Sequence, residues 1–576
     1  MPDLLAGSRS RFPARPAITL DAAQLYLPEL WQTYACTQPR KTAVVCGPQR
    51  ETWDQFNAGL GRVATGLRRA GVGRGDRVAV LMSNSVPMLH AMLGIVKAGA
   101  CVVPISSLLT PEQVRRVLDD SGSLGLFASE LTLALAQAAL GAGGKGTTGA
   151  GAGPRPDLLI LLGGVAPGWT SWDDWIGAAG ASSDAVPQGC ALGYAMEDDF
   201  NVIYSSGTTG IPKGIVHTHR ARQHWSYSNA LELRMDNTVV ALATTSLYSN
   251  GTWFMVLPPL FVGGTVVILP GFSVKGFLDA VAAERVTHTF MVPTQYQSIL
   301  DSPDLAGADL SSLRVMLSAG SPLREEVKAR VLQRMGPGLF ELYGFSEGFA
   351  TMLKPEDLQR KRASVGRPVL GFELRIVGDD GQALAPGQAG EIVGYGAGLM
   401  REYFGNREET EKCTWRDERG RTFVRSGDIG SVDEDGFLTI LDRKKDMIKS
   451  GGFNVFPKDI EAVIAQHPDV LDVAVIGVPD AKWGEVPLAL VIPRPAGGPE
   501  SLPASAPDAA ALKDWANARL AKTQRLSALE FRTEFPRNAL GKVLKRELRE
   551  QRREPQTGQP DDRLHQQPRP QSEKPA

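Results

Sequence analysis

From residue 76 onward, short apolar runs alternate with longer stretches whose apolar positions recur at helical spacing. Residues 77–82 read as a buried strand, 87–97 as a helix, 100–105 as a strand and 111–120 as another helix. The alternation returns in 239–244, 251–261, 265–269, 274–285 and 287–292. Two such β-α-β stretches predict two predominantly parallel sheets with helices between them, and ligand sites at the C-terminal ends of the strands. After Gly378 the pattern shortens to strands and tight turns, in 387–393 and 433–440, which predicts a small β-rich subdomain. The charged run Asp442-Arg443-Lys444-Lys445-Asp446 separates it from a compact α/β region ending near Glu550. The expected fold class is therefore α/β. A large N-terminal domain over 1–441 holds two parallel-sheet α/β subdomains and the β-rich one, a joining segment covers 442–446, and a small α/β domain covers 447–550. The end of the chain is rich in Pro, Gln, Arg and Asp with almost no apolar residues, so a disordered tail is expected over 551–576.

Composition narrows the partners. With 62 Lys plus Arg against 63 Asp plus Glu, the formal charge of -1 provides no field for a polyanion, so nucleic acid is a poor partner. The cysteines Cys36, Cys46, Cys101, Cys190 and Cys413 lack C-x-x-C spacing, which disfavours a zinc site or disulfide framework and suits a reducing cytosol. No apolar h-region opens the chain and no apolar run reaches the length of a membrane span, so a soluble cytoplasmic protein is expected.

The most informative segment is Tyr204-Ser205-Ser206-Gly207-Thr208-Thr209-Gly210-Ile211-Pro212-Lys213-Gly214. Its glycines admit backbone N–H groups close to an anion, its hydroxyls donate hydrogen bonds, and Lys213 brings positive charge, as a polyphosphate requires. It is not a Walker A loop, since Lys213 follows proline and precedes glycine. Pro212 blocks an immediate helix, so an open loop is expected. Residues 144–149 fit G-x-G-x-x-G on paper, but they lie in a low-complexity break over 141–156 without strand-loop-helix context, and are read as a surface loop.

Tyr343-Gly344-Phe345-Ser346-Glu347 follows an apolar run and falls at a strand end. Its ring can stack on a purine, its hydroxyl can bind a phosphate, and its carboxylate can hold Mg²⁺, which prefers oxygen ligands. Residues 344–348 also fit the G-x-S-x-G nucleophile elbow, so a serine hydrolase is a rival reading; its histidine would be His467 or His565. Asp428, after Ser426-Gly427, has a carboxylate able to accept two ribose hydroxyls. His217, His219 and His224 crowd together after the Ser/Thr/Gly loop without a supporting Cys or acid, and are read as helix-packing or capping residues rather than metal ligands.

Taken in order, the Ser/Thr/Gly loop, Tyr343-Gly344-Phe345-Ser346-Glu347, Ser426-Gly427-Asp428 and Pro536-Arg537-Asn538-Ala539-Leu540-Gly541-Lys542 resemble the motifs of the AMP-forming acyl-CoA synthetases, from about Leu30 to Arg549. That adenylate-forming superfamily also includes peptide-synthetase adenylation domains and luciferases. The resemblance implies that Ser205, Ser206, Gly207, Thr208, Thr209, Gly210 and Lys213 contact ATP phosphates, together with Gly320 and Glu341 on the nucleotide side. It implies further that Tyr343 stacks adenine, Ser346 contacts phosphate, Glu347 ligates magnesium, Asp428 holds the ribose, and Arg443 touches ribose and phosphate. Lys542 becomes the catalytic lysine of a mobile lid that turns about the hinge residue Lys445, and Lys449, Gly451 and Gly452 fall beside the pantetheine channel of CoA.

The acyl pocket is expected from segments 248–254, 291–296, 318–321 and 345–349, with Tyr248, Ser249, Asn250, Trp253, Met291, Phe345 and Phe349 as its walls. These offer an apolar cavity and no obvious cation for a second carboxylate. Many relatives carry an aromatic residue followed by histidine in the first segment, where this chain has Tyr248-Ser249-Asn250. The implied activity is ATP-, Mg- and CoA-dependent ligation of a medium or long fatty acid, or an aromatic acid, by a monomer or homodimer. The alternative is a stand-alone enzyme that loads a carrier protein.

Overall fold

The computed structural model describes residues 25–141, 156–180, 195–205, 213–450, 453–494, 508–537 and 543–553. Four sheets account for its strands. The first has nine strands; Val240–Ala243, Thr265–Ile268, His288–Met291, Val315–Ser318 and Leu339–Gly344 run parallel, and Thr42–Cys46 joins them through Thr265–Ile268. The second has eight, with Arg77–Leu81, Cys101–Pro104, Gly125–Ser129 and Leu158–Leu162 parallel at its centre. The two predicted parallel sheets are both present.

Local chemistry sets the helix boundaries. Pro111–Ser121 opens on a capping box in which Thr110 and Gln113 exchange bonds of 3.0 and 3.3 Å, and it closes on Gly122 at φ +56°, in the left-handed region that glycine enters freely. Val86–Lys97 opens on Ser85, whose hydroxyl accepts from Met88 N–H. That helix is buried on nearly every face, packed against Trp53–Arg69 around Phe56, Leu60, Val63, Leu89 and Leu93. Each such side chain contributes roughly 1.5–3 kcal/mol by leaving water. One expectation fails. Residues 251–261 form a 3-10 turn, Asn250–Met255, followed by a short helix, Leu257–Phe261, because Pro258 and Pro259 supply no N–H to continue the turn before them.

The third sheet is the predicted β-rich subdomain: Phe372–Val377, Gly390–Gly396, Thr422–Val432, Thr414–Arg416 and Leu438–Arg443, all antiparallel. Asp442 and Arg443 lie within its last strand, so the joining segment is shorter than 442–446. The fourth sheet, Ile448–Ser450, Phe453–Val455, Val470–Asp480, Gly484–Pro493 and Ala528–Phe531, has helices Pro457–Ile464, Ala509–Asn517 and Lys545–Arg553 and its own core of Ile460, Ile464, Val475, Ala489 and Val491. It docks on the rest through Lys458, whose backbone N–H donates to Asp442 Oδ2 at 3.0 Å and whose ammonium reaches Ile440 O at 3.0 Å. Arg324 reaches Asp472 across the same seam at 3.2 Å. Among the described residues no helix is long and apolar enough to cross a membrane.

Candidate active site

Two hairpins carry the site. The first joins Asp199–Ser205 to Lys213–Thr218, with Ser205 paired to Lys213, so the Ser/Thr/Gly segment bridges antiparallel strands rather than leading into a helix. Ser206, Gly207, Thr208, Thr209 and Gly210 lie outside the described residues, as do Gly451, Gly452, Lys542, most of the 141–156 segment and most of the 551–576 tail. The second hairpin joins Leu339–Gly344 to Ala350–Leu353 through the turn that holds Phe345, Ser346 and Glu347. Gly348 has φ +111°, and a Cβ there would meet Gly398 O at 2.2 Å, so only glycine lets the turn sit against residues 398–400. Met400 N–H donates to Glu347 O at 2.7 Å.

Strand Glu402–Tyr403 brings the hairpins together. It pairs with Lys213–Thr218, Tyr403 opposite Ile215, and the Tyr403 hydroxyl donates to Glu347 Oε1 at 2.5 Å. Lys213 stands 5.1 Å over the Tyr403 ring and pairs with Glu409. Burial, reinforced by the Glu347 charge, pushes the Tyr403 hydroxyl far above its ordinary range, which keeps it a donor. Glu347 is half-exposed, and a carboxylate with one oxygen engaged by Tyr403 would suit a single magnesium ligand completed by phosphates. Among the described residues no group of three or more His, Cys, Asp or Glu could form a metal cage by itself.

The second hairpin continues the site through Tyr343. Its hydroxyl donates to Asp428 Oδ2 at 2.7 Å, and Arg443 Nε holds Asp428 Oδ1 at 2.9 Å. Asp428 and Arg443 face each other in the third sheet's register, and Gly427, at φ +69°, makes the bend before Asp428. Burial, with Asp428 adding to it, pushes Tyr343 well above the usual phenol range. Gly320, exposed at φ +92°, turns the chain after Val315–Ser318.

Other expected residues stand elsewhere. Glu341 is buried and paired with Lys328 at 2.8 Å, which makes it a strut behind the hairpin rather than an open ligand. Trp253, Met291 and Phe349 are 0 to 1% exposed and belong to the packed interior, whereas Tyr248, Ser249, Asn250 and Phe345 are half-exposed and can form a wall. Burial drives this correction, because large apolar side chains near strand ends are drawn into the core whenever the layers leave room. Lys445 is exposed, beside Asp446 and near Arg443, Arg546 and Arg549; partial desolvation of its ammonium holds its pKa below the ordinary lysine value. Lys449 lies in strand Ile448–Ser450, its N–H donating to Glu485 at 3.1 Å.

The histidines pack as expected in two cases: His219 lies edge-on to Phe200 at 5.2 Å, and His224 contacts Tyr227 O–H at 2.6 Å. His217 is different. It lies on a strand, not a helix, and hydrogen-bonds the Ser346 backbone. The hydrolase reading fails on geometry, since Ser346 occupies a strand-turn-strand hairpin instead of a strand-to-helix elbow, and His467 packs on Trp515 at 4.7 Å in the fourth-sheet domain. Sequence reasoning missed Tyr403, Glu409, Lys328 and Arg222. Only Tyr403 had a local signal, in Arg401-Glu402-Tyr403-Phe404-Gly405-Asn406 beside a turn.

The AMP-binding enzyme family matches residues 31–404, and the C-terminal domain of the same enzymes matches 459–542. The chain belongs to the AMP-binding enzyme family. Within it, the chain is similar to a feruloyl-CoA synthase of Amycolatopsis, 35% identical over 89% of this chain and 96% of that one. A long-chain-fatty-acid–CoA ligase of Mycobacterium tuberculosis is 33% identical over 87% and 93%. The crystal structure of the anthranilate CoA ligase AuaEII with anthranoyl-AMP superposes with a TM-score of 0.79 at 27% identity, covering 92% of this chain and 98% of that one. The AMP-binding enzymes thus share with this chain both the body and the small C-terminal domain.

Proposed function

We propose that the protein ligates an apolar carboxylic acid to coenzyme A through an acyl-adenylate, consuming ATP and releasing pyrophosphate and AMP. The observation that carries the reading is the convergence of Lys213 and Glu347 on Tyr403, which sets the end of the Ser/Thr/Gly loop against the Tyr343–Glu347 turn. In the first step an oxygen of the acid attacks the α-phosphorus of ATP and the bond to the β-phosphate oxygen breaks, with pyrophosphate leaving. In the second, the CoA thiol adds to the acyl carbonyl, loses its proton, and AMP departs.

The chain's own groups fit these steps. Asp428 and Arg443 bind ribose and Tyr343 fixes the aspartate between them. Ser346 and Lys213 meet phosphate oxygens, with Ser205, Ser206, Gly207, Thr208, Thr209 and Gly210 lining the loop. A magnesium ion at Glu347 would neutralise phosphate charge. Arg537 and Val543 pair in an antiparallel bridge, and Arg537 and Arg324 of the body share Asp472. Lys542, outside the described residues, is assigned to adenylation, where it opposes charge that builds up only in the transition state. Rotation about Lys445 then withdraws it and brings Lys449, Gly451 and Gly452 to the CoA thiol. The names of the relatives support an aromatic or a medium to long aliphatic acid.

The test is Lys542→Ala. Adenylation, followed as pyrophosphate release, should fall about 10²–10³-fold, while thioester formation from supplied acyl-adenylate and CoA stays within threefold of the parent enzyme. Equal loss of both steps would contradict the two-pose mechanism.

A further inference from the structure

Helix His219–Glu232 buries a full guanidinium. Arg222 is 1% exposed, and no carboxylate pairs with it among the described residues. Its partners are neutral: Nε donates to Asn201 Oδ1 at 2.7 Å, and Nη2 donates to Asn250 Oδ1 at 2.8 Å and to His217 Nδ1 at 3.3 Å. The rings of Trp253 and Trp225 lie 4.9 and 5.5 Å from its central carbon. Burial alone lowers its pKa to about 9, so the charge persists at neutral pH. A buried cation without a counter-ion is costly, and an apolar side chain of similar volume would serve packing better. Its presence points to a role beyond packing.

The directions of these bonds define that role. A guanidinium only donates, so each partner must offer an acceptor. His217 therefore presents an unprotonated Nδ1 to Arg222, which leaves Nε2–H for the Ser346 backbone. Asn250 must likewise turn its oxygen inward, which aims its two Nδ2 donors away from Arg222, on a residue that is half-exposed in the segment expected to line the acyl pocket. The relatives' usual aromatic-histidine pair is absent at this place, and the sequence reading found no cation there; the structure provides one, a layer beneath the surface.

We propose that Asn250 Nδ2 binds the carboxylate of the acid substrate and that Arg222 is the positioning residue that fixes the orientation of Asn250 and lends its charge to that wall. This assignment rests on the acid-adenylating reading and deepens it. A polarised amide backed by a buried cation favours an anion, so the ionised acid should bind better here than its ester or amide. Asn201, on the strand before the Ser/Thr/Gly loop, and His217, on the strand after it, tie this wall to the nucleotide side through the same guanidinium.

The experiment measures pyrophosphate release with ferulate, indoleacetate, anthranilate and dodecanoate, and then uses whichever acid the parent enzyme turns over fastest. Asn250→Ala should raise KM for that acid about 10- to 100-fold, the range expected for loss of a hydrogen bond to a charged group, with KM for MgATP within threefold. Asn250→Asp should be worse, by like-charge repulsion. Arg222→Met should raise the acid KM by a similar factor, Arg222→Lys by less, and the double variant Arg222→Met/Asn250→Ala should be no worse than the poorer single one. Independent, multiplying losses, equal changes in both KM values, or an unchanged Asn250→Ala would overturn the assignment. Should Arg222→Met fail to fold, judged by its melting curve, Arg222→Lys and the two Asn250 variants still decide. A parent enzyme that releases no pyrophosphate with any of the four acids would overturn the underlying reading itself, a result separate from a failure confined to the variants.

Discussion

The two sides of the candidate site solve their electrostatics in opposite ways. On the proposed nucleotide side charges come in pairs, Arg443 with Asp428 at 2.9 Å and Lys213 with Glu409, and the Glu347 carboxylate accepts from a neutral tyrosine. On the proposed acid side a lone guanidinium is buried among amides, an imidazole and indoles. The difference fits what each side is proposed to hold. ATP brings several charges to a partly open cleft, so its ligands are exchanged among screened partners, whereas an apolar acid brings one charge into a dry wall, where a single preorganised dipole counts for more.

Tyr403→Phe probes the nucleotide side most strongly. Removing the hydroxyl that orients Glu347 should weaken the response to magnesium about 10- to 100-fold, read from the metal concentration needed for half-maximal pyrophosphate release, with KM for the acid unchanged. A matching shift in the acid KM would merge the two sides and break the comparison. Tyr343→Phe is expected to act next. Asp428 keeps Arg443 but loses one donor, so KM for ATP should rise about tenfold, again without an effect on the acid.

Legibility divided along the same line. The Ser/Thr/Gly loop, the Tyr343–Glu347 turn and Asp428 stand out in the sequence as candidates because their residues are packed into short segments with glycines, such as Gly427 at φ +69°. Helix ends were readable for the same local reason, as at Thr110 and Gly122. Arg222 was not, because its meaning comes from Asn201, His217 and Asn250, which the chain brings in from three different elements. Glu341 lies at the other extreme: the resemblance put it on the nucleotide side, whereas its carboxylate is paired with Lys328 on the adjacent helix. Trp253 and Met291 were taken for pocket walls because aromatic and sulfur side chains near strand ends do not reveal which way they face.

The smallest expected effect concerns stability and acid. Burial holds the His219 pKa down near 4, and His217 well below its ordinary value with Arg222 adding to the effect. The unfolded chain therefore binds more protons than the folded one between about pH 6.5 and pH 4. Stability should be fully present above that window and fall as pH drops through it, by about 1.4 kcal/mol per pH unit for each imidazole. Melting curves of the parent and of His219→Gln across the window should show a shallower slope in the variant. Equal slopes would mean that the ring takes up its proton without unfolding.

The central claim is that the acid side and the nucleotide side meet at one phosphorus. Isotope exchange between labelled pyrophosphate and ATP, run without CoA and with and without an apolar carboxylic acid, tests it most directly. The account predicts exchange that requires both the acid and magnesium. Exchange indifferent to any acid, or none with the whole panel, would contradict it.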